Sequence, residues 1–263
     1  MKTINLLLPF TPVRARWLRL MLISQAGVAI ALWAISGSKT LPTPMEVAHA
    51  WIDLVQRQGL LFELWTSVKV SVVALLVSTS AAVVVACLST APVFMPVARL
   101  SAAMRFLGFA GLTYVFMLAS GDSHWLRVAI LSFGMFVFMM TSLLAEIAAT
   151  PRNQIDHCRT LGMRHWRITA EIVVLSKADV ILDLMRQNAA VGWTLLTLVE
   201  GMTRSEGGVG AMLLNQNRYF LLAGVFAIQL TILTYGLGQD FLLSLLKDSL
   251  CPYGRLGKER GTA

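Results

Sequence analysis

Six stretches of the chain carry no charged residue, and their lengths constrain the fold more than any other feature. They are Leu20–Ser38 (19 residues), Val70–Ala98 (29), Phe106–Gly121 (16), Val128–Ala145 (18), Gln187–Val199 (13) and Tyr219–Gln239 (21). A helix needs about 20 apolar residues to cross a bilayer, with a range of roughly 17–25. The first, second, fourth and sixth stretches qualify alone. The third is short and reaches span length only by borrowing Met104 and Arg105, whose long side chains can snorkel. The fifth must start near Asp179, because the helix from there to Glu200 is about 32 Å long, enough to cross. The first stretch lacks a small-x-small exit before Lys39, so it reads as a span and not as a cleavable signal.

Composition agrees with this reading. The 263 residues are 56% hydrophobic and 14% charged, with a mean hydropathy of +0.68. A soluble globule of this size lacks the interior to hide so much apolar mass. An ordinary soluble enzyme, a disordered chain and a disulfide-stapled module are therefore excluded, and an all-α membrane protein of about six transmembrane helices is expected. Cys87, Cys158 and Cys251 are too few and too scattered for a disulfide or zinc framework. The net charge of +8 reads as basic loops on the cytoplasmic face and not as a nucleic-acid surface. With six crossings and both termini inside, 15 of the 22 basic residues fall on the inner side and six outside, with Arg186 in the membrane. The outer six are Lys39, Arg57, Lys69, Arg127, Arg204 and Arg218. Residues 1–19 are then an inner N-terminus and 20–145 the first four spans. Residues 146–177 form an inner loop, 178–246 the last two spans and 247–263 an inner tail.

Two connections have internal order. Thr43-Pro44-Met45-Glu46 is a helix start, with Thr43 as N-cap and Glu46 closing a capping box. Over 43–57, Ala48, Trp51, Ile52 and Val55 recur at helical spacing, which predicts an outer amphipathic helix lying on the membrane or on the protein's own rim. In the inner loop, Asn153 to Leu161 reads as a short helix with Ile155, Cys158 and Leu161 on one face. Gly162 can end it in a left-handed conformation, and a second helical stretch runs from Met163 into Val174. Such a hairpin either docks a partner or simply joins two spans.

At this loop, Asp156-His157-Cys158-Arg159-Thr160-Leu161-Gly162 resembles the EAA loop of ABC importer permeases, with Asp156, His157 and Cys158 standing where that family has Glu-Ala-Ala. Leu41-Pro42-Thr43-Pro44, Gly192-Trp193, Glu200 and Gly208-Val209-Gly210 resemble further motifs of the nitrate/sulfonate/taurine branch, in the same order. The resemblance implies the permease architecture of a type I ABC importer in a bacterial inner membrane. It also implies ATPase coupling through Ile155, Asp156, His157, Cys158, Arg159, Leu161 and Gly162. Gly192, Trp193, Glu200, Gly208 and Gly210 would belong to the gate and translocation path. The implied partners are a cytoplasmic ABC ATPase dimer, an extracytoplasmic solute-binding protein and a second permease copy, with a small nitrate-, sulfonate- or taurine-like solute.

The residues themselves offer no catalytic constellation, no metal site and no cofactor motif. The chain has no Gly-x-x-x-x-Gly-Lys-Ser/Thr phosphate loop, so ATP hydrolysis would fall to a partner. Gly207-Gly208-Val209-Gly210 has no strand before it and reads as a tight turn after the fifth span. Asp183 and Arg186 can pair at i, i+3, either at the inner interface or as an intramembrane functional pair. Glu200 either faces a cavity or pairs with Arg204, and Asp240 is read as interfacial. The rival function is a secondary transporter or membrane scaffold without an ATPase, which would require paired acids deep in the spans.

Overall fold

The structure is a computed structural model that describes residues 15–35, 41–107, 109–119, 123–203 and 207–251. Among these residues it is all helix, with no strand. The helices are α1 (Ala15–Ile35), α2 (Pro44–Arg57), α3 (Leu60–Leu88), α4 (Met95–Ala103), α5 (Phe109–Ala119), α6 (Ser123–Ala148), α7 (Arg152–Thr160), α8 (His165–Thr169), α9 (Ala178–Thr203), α10 (Val209–Arg218) and α11 (Leu222–Leu250). Three of them hold segments long and apolar enough to cross a membrane: Leu60–Leu88, Trp125–Ala148 and Leu222–Leu250. The chain is therefore an all-α protein with membrane-spanning capacity.

The third expected span is not a straight helix. Met95–Phe106 and Gly111–Leu118 pass the same test only as a pair bent by 118°. Met104 and Arg105, expected to extend the apolar run, instead form a 3-10 turn with Phe106. The chain nevertheless returns across the molecule here. Ala98 of α4 packs beside the far ends of α3 and α6, and Phe116 of α5 packs beside the start of α6. The fifth expected span is a 26-residue helix, α9, that reaches back past Asp179. Its four charged residues keep it out of the strongly apolar set.

The core lies where α3, α6 and α9 meet. Val70, Ala74 and Leu75 of α3 pack against Leu131 and Met135 of α6 and against Ala189, Trp193 and Leu196 of α9. On α3 the buried face is made of small residues, Ser67, Ser71, Ala74, Ser78, Ala82 and Ala86, each no more than 1% exposed. Spacings of three and four keep them on one stripe, so the backbones can approach closely without any hydrophobic drive from lipid. Gly192 serves α9 similarly, since a Cβ there would stand 2.8 Å from Met135 Cε. Asn188 Nδ2 donates to the Met135 carbonyl at 3.0 Å, a polar tie between the same two helices.

Helix α2 keeps its expected start. The Glu46 amide donates to Thr43 Oγ1, and the Thr43 amide donates to Glu46 Oε2. Its buried face differs from the expected one. Val47 and Leu54 are buried against α10 and α11 residues, whereas Ala48 and Ile52 are exposed. Trp51 Nε1 reaches Thr231 Oγ1 of α11 at 3.1 Å. The helix therefore packs on the rim of its own chain, a site set by where α11 presents Ala227 and Ile228.

The stripe on α3 predicts a clear size limit. Ala82→Leu should destabilise the protein by about 1–3 kcal/mol through overpacking. Val84→Leu, at a position 58% exposed, should leave stability near wild type. Thermal unfolding of both variants in detergent checks the contrast; equal melting would contradict close packing along the stripe.

Candidate functional site

Helix α10 begins with the problem of every helix, because its first amide N–H groups have no partner within the helix. Gly207 and Gly208 turn the chain from α9 into α10 with φ of +74° and +105°, a backbone that L side chains rarely adopt. The turn directs three successive amides at side chains from two helices, α3 and α9. The Gly208 amide donates to Glu63 Oε2. The Val209 amide donates to Ser67 Oγ at 2.9 Å, and the Gly210 amide donates to Glu200 Oε2 at 2.9 Å. Ser67 also lies 2.7 Å from Glu200 Oε1, to which its hydroxyl donates. Glu63 and Ser67 are four residues apart on α3, so both face the turn. The helix start is thus capped by α3 and α9 and not by its own preceding residue.

Charge placement supports this clasp. Glu200 is fully buried, an expensive position for a carboxylate without donors. It gains donors from Ser67 and Gly210, and the positive end of the α10 dipole favours its charge. Arg127, 2% exposed, donates from Nη1 to the Gly207 carbonyl at 3.3 Å. Its guanidinium thus joins the turn from the start of α6. Space is equally tight. A Cβ on Gly208 would overlap the Glu200 carboxyl, and one on Gly210 would overlap the Thr197 backbone of α9. Outside the clasp, Gln58, Glu63, Asn215 and Arg218 border an open cavity of about 400 Å³.

The structure brings together Glu200, Gly208 and Gly210 but not the other two residues expected at the gate. Gly192 and Trp193 lie further down α9. There the buried Trp193 donates to Gln239 Oε1 at 2.7 Å and meets Tyr235 edge-on, with ring centroids 5.1 Å apart. The expected partner of Glu200, Arg204, lies outside the described residues. Glu63, Ser67 and Arg127 were not expected at this site. Ser67 was detectable as the first member of the small-residue stripe, and Glu63 lies one turn before it.

The hairpin expected within residues 146–177 forms as α7 and α8, continued by a π-helical segment Ala170–Leu175 that leads towards α9. Gly162 turns it with φ +72°. The apolar stripe expected to await a partner is partly covered by the hairpin itself: Cys158 packs with Ile168 and Ile172, and Ile155 and Met163 lie against them. Leu161, at 61% exposed, faces outward instead, as does Trp166 at 58%. The helix ends one residue earlier than expected, at Thr160, which places Leu161 in the turn and off the stripe. Asp156 and Arg159 pair at 3.0 Å on the exposed surface, and His157 is exposed beside them. Between the hairpin and the α3–α4 connection lies a cleft of about 430 Å³. Lys177 binds Glu146 and so fastens the base of α9 to the end of α6.

No group of three or more metal-ligating side chains occurs among the described residues. No protein-family model matches the chain, and no curated protein matches it.

The clasp predicts that Ser67→Ala, which strips a donor from Glu200 and an acceptor from Val209, costs about 1–3 kcal/mol for the buried groups left unpaired. Limited proteolysis between α9 and α10 should then speed up, and the unfolding midpoint should fall. Unchanged cleavage and melting would show that the three caps do not hold the turn.

Proposed function

We propose that the chain is the membrane permease subunit of an ATP-driven, binding-protein-dependent importer, with six crossings, both termini in the cytoplasm and a bacterial inner-membrane location. The observation that carries this reading is a single helix, α9, linking two specialised ends. At one end it continues from a helix–glycine–helix hairpin that presents Leu161, Trp166, Arg159, Arg164 and Arg167 outside the spans. At the other it carries Glu200 into the clasp on α10. A push on the hairpin is thereby delivered to the outer turn through one rigid element. The sequence resemblance to the EAA loop supports the same assignment of ends.

In this reading an ATPase dimer docks on the exposed side of the hairpin. Closure of the ATPases moves α9, which loosens or restores the bonds of Glu200 and so opens or shuts the outer mouth. A second permease copy completes the path, and an outer binding protein delivers a small solute of the nitrate, sulfonate or taurine kind. Arg127 and Glu63 belong to the outer gate together with Glu200, Gly208 and Gly210. The rival reading, a secondary carrier, draws on the burial of both Glu200 and Arg127 near one turn. It requires uptake that follows an ion gradient and ignores ATP.

The coupling test uses Gly162→Val. The site has no atom within 4 Å of a Cβ, so only backbone strain is introduced, about 1 kcal/mol or more. The spans should insert normally while ATPase capture and uptake fall. Trp166→Ala, which removes an exposed anchor without touching the turn, should weaken capture in the same pull-down. Normal capture and ATP-dependent uptake in both variants would reduce the hairpin to a connector.

The gate test is Glu200→Gln, which keeps shape but removes the charge at the clasp. It should leave ATPase capture intact and change uptake across a range of solute concentrations. Wild-type uptake would return Glu200 to a structural role.

A further inference from the structure

The cavity of about 400 Å³ beside the clasp has polar walls. Its only apolar side chains are Ala211 and Met212, and the rest of the lining is Gln58, Glu63, Asn215, Arg218 and the Gly207–Gly208 backbone. Small-molecule sites have volumes of roughly 300–1,000 Å³, so the space suits a small solute. Helix α3 supplies Glu63, and α10 supplies Asn215 and Arg218. The last two are three residues apart and so share a face of α10. The buried Gln216 donates from Nε2 to Gln58 Oε1 at 2.9 Å and holds that wall in place.

Two opposite charges on these walls are uncommitted. Glu63 gives Oε2 to the Gly208 amide, but its Oε1 forms no hydrogen bond or ion pair among the described residues. The exposed Arg218 guanidinium likewise forms no hydrogen bond or ion pair among them. The two therefore border one cavity without pairing with each other. A simple anion drawn to Arg218 would also face Glu63, and a metal cation would find one carboxylate and a like charge. A solute bearing both charges matches both walls. Its ammonium can donate to Glu63 Oε1, and its carboxylate can accept from the planar fork of Arg218. Asn215, beside Arg218, adds a donor and an acceptor.

We propose that this cavity binds a small zwitterion of the amino-acid type, its protonated amine held by Glu63 and its carboxylate by Arg218. The assignment rests on the transport reading, to which it adds the charge character of the solute, and it separates a zwitterion from a simple inorganic anion. Because Glu63 also caps Gly208, the solute sits against the clasp itself.

The test is a saturation-transfer NMR titration of the full chain in lipid nanodiscs, without ATPase or binding protein. The probes are glycine, β-alanine and 4-aminobutyrate, which differ in charge separation, each with the simple carboxylate and the alkylamine of matched length. At least one zwitterion should bind saturably, about tenfold or more tighter than both of its single-charge analogues, the margin that a charged hydrogen bond supplies. Arg218→Gln, an exposed change that leaves the fold alone, should weaken that binding about tenfold or more. Glu63→Gln, which keeps a carbonyl acceptor for the Gly208 amide, should do the same. Asn217→Ala, on α10 outside the cavity lining, should bind as wild type. Absence of binding by all three zwitterions, equal binding by a single-charge analogue, or wild-type affinity in Arg218→Gln would each overturn the proposal. Failure of ATPase capture would remove the importer reading without altering these affinities, so the two outcomes are separable.

Discussion

Three amide N–H groups at the start of α10 have to find acceptors, and the arrangement of this end of the molecule follows from how they do so. Buried backbone donors are satisfied almost without exception. Here the acceptors come from Glu63, Ser67 and Glu200, on two helices remote in sequence. Meeting that demand requires α3 and α9 to approach the same turn, Gly207 and Gly208 to take positive φ, and Gly210 to pass close to the α9 backbone. It also requires a buried carboxylate, whose charge is favoured by the α10 dipole. A capping interaction ordinarily local to one helix becomes a long-range tie between helices.

That tie is effective because the elements behind it are closely packed. The small residues of α3 let α6 approach, and Gly192 lets α9 approach Met135. Trp193 with Gln239, and Arg186 with Asp240, then fix α11 to α9 at two levels. Near its base, α9 is joined to α6 through Lys177 and Glu146. Between hairpin and span lies the π-helical segment Ala170–Leu175, and π turns often mark places where a helix changes register for function. Hairpin and clasp are therefore joined by a packed path with one distinctive joint.

Much of this fold is legible from charge and periodicity. Charge-free runs overlap α3, α6 and α11, although α3 starts and ends ten residues before its run Val70–Ala98 and α11 continues past Gln239, and the stretch from Asp179 to Glu200 falls within α9. The Thr43 cap and the Gly162 turn are local, so local sequence encodes them. The bent α4–α5 pair is less legible, because an apolar run gives no warning of a break when it contains no proline. The clasp is legible only in part. Glu200 and the glycines stand out, but their partners Glu63 and Ser67 lie over 130 residues away and no local pattern links them. The hairpin stripe misled for a related reason. Ile155 and Cys158 indicate an apolar face, but only the tertiary contact with Ile168 and Ile172 shows that it is already covered.

The central claim is that Gly208, Val209 and Gly210 are held by α3 and α9, and amide hydrogen exchange measures this most directly. In the resting protein these three amides should exchange about as slowly as the core of α9, since each is bonded to a side chain fixed by packing. Exchange as fast as that of an open surface turn, in a protein whose spans remain protected, would contradict the account.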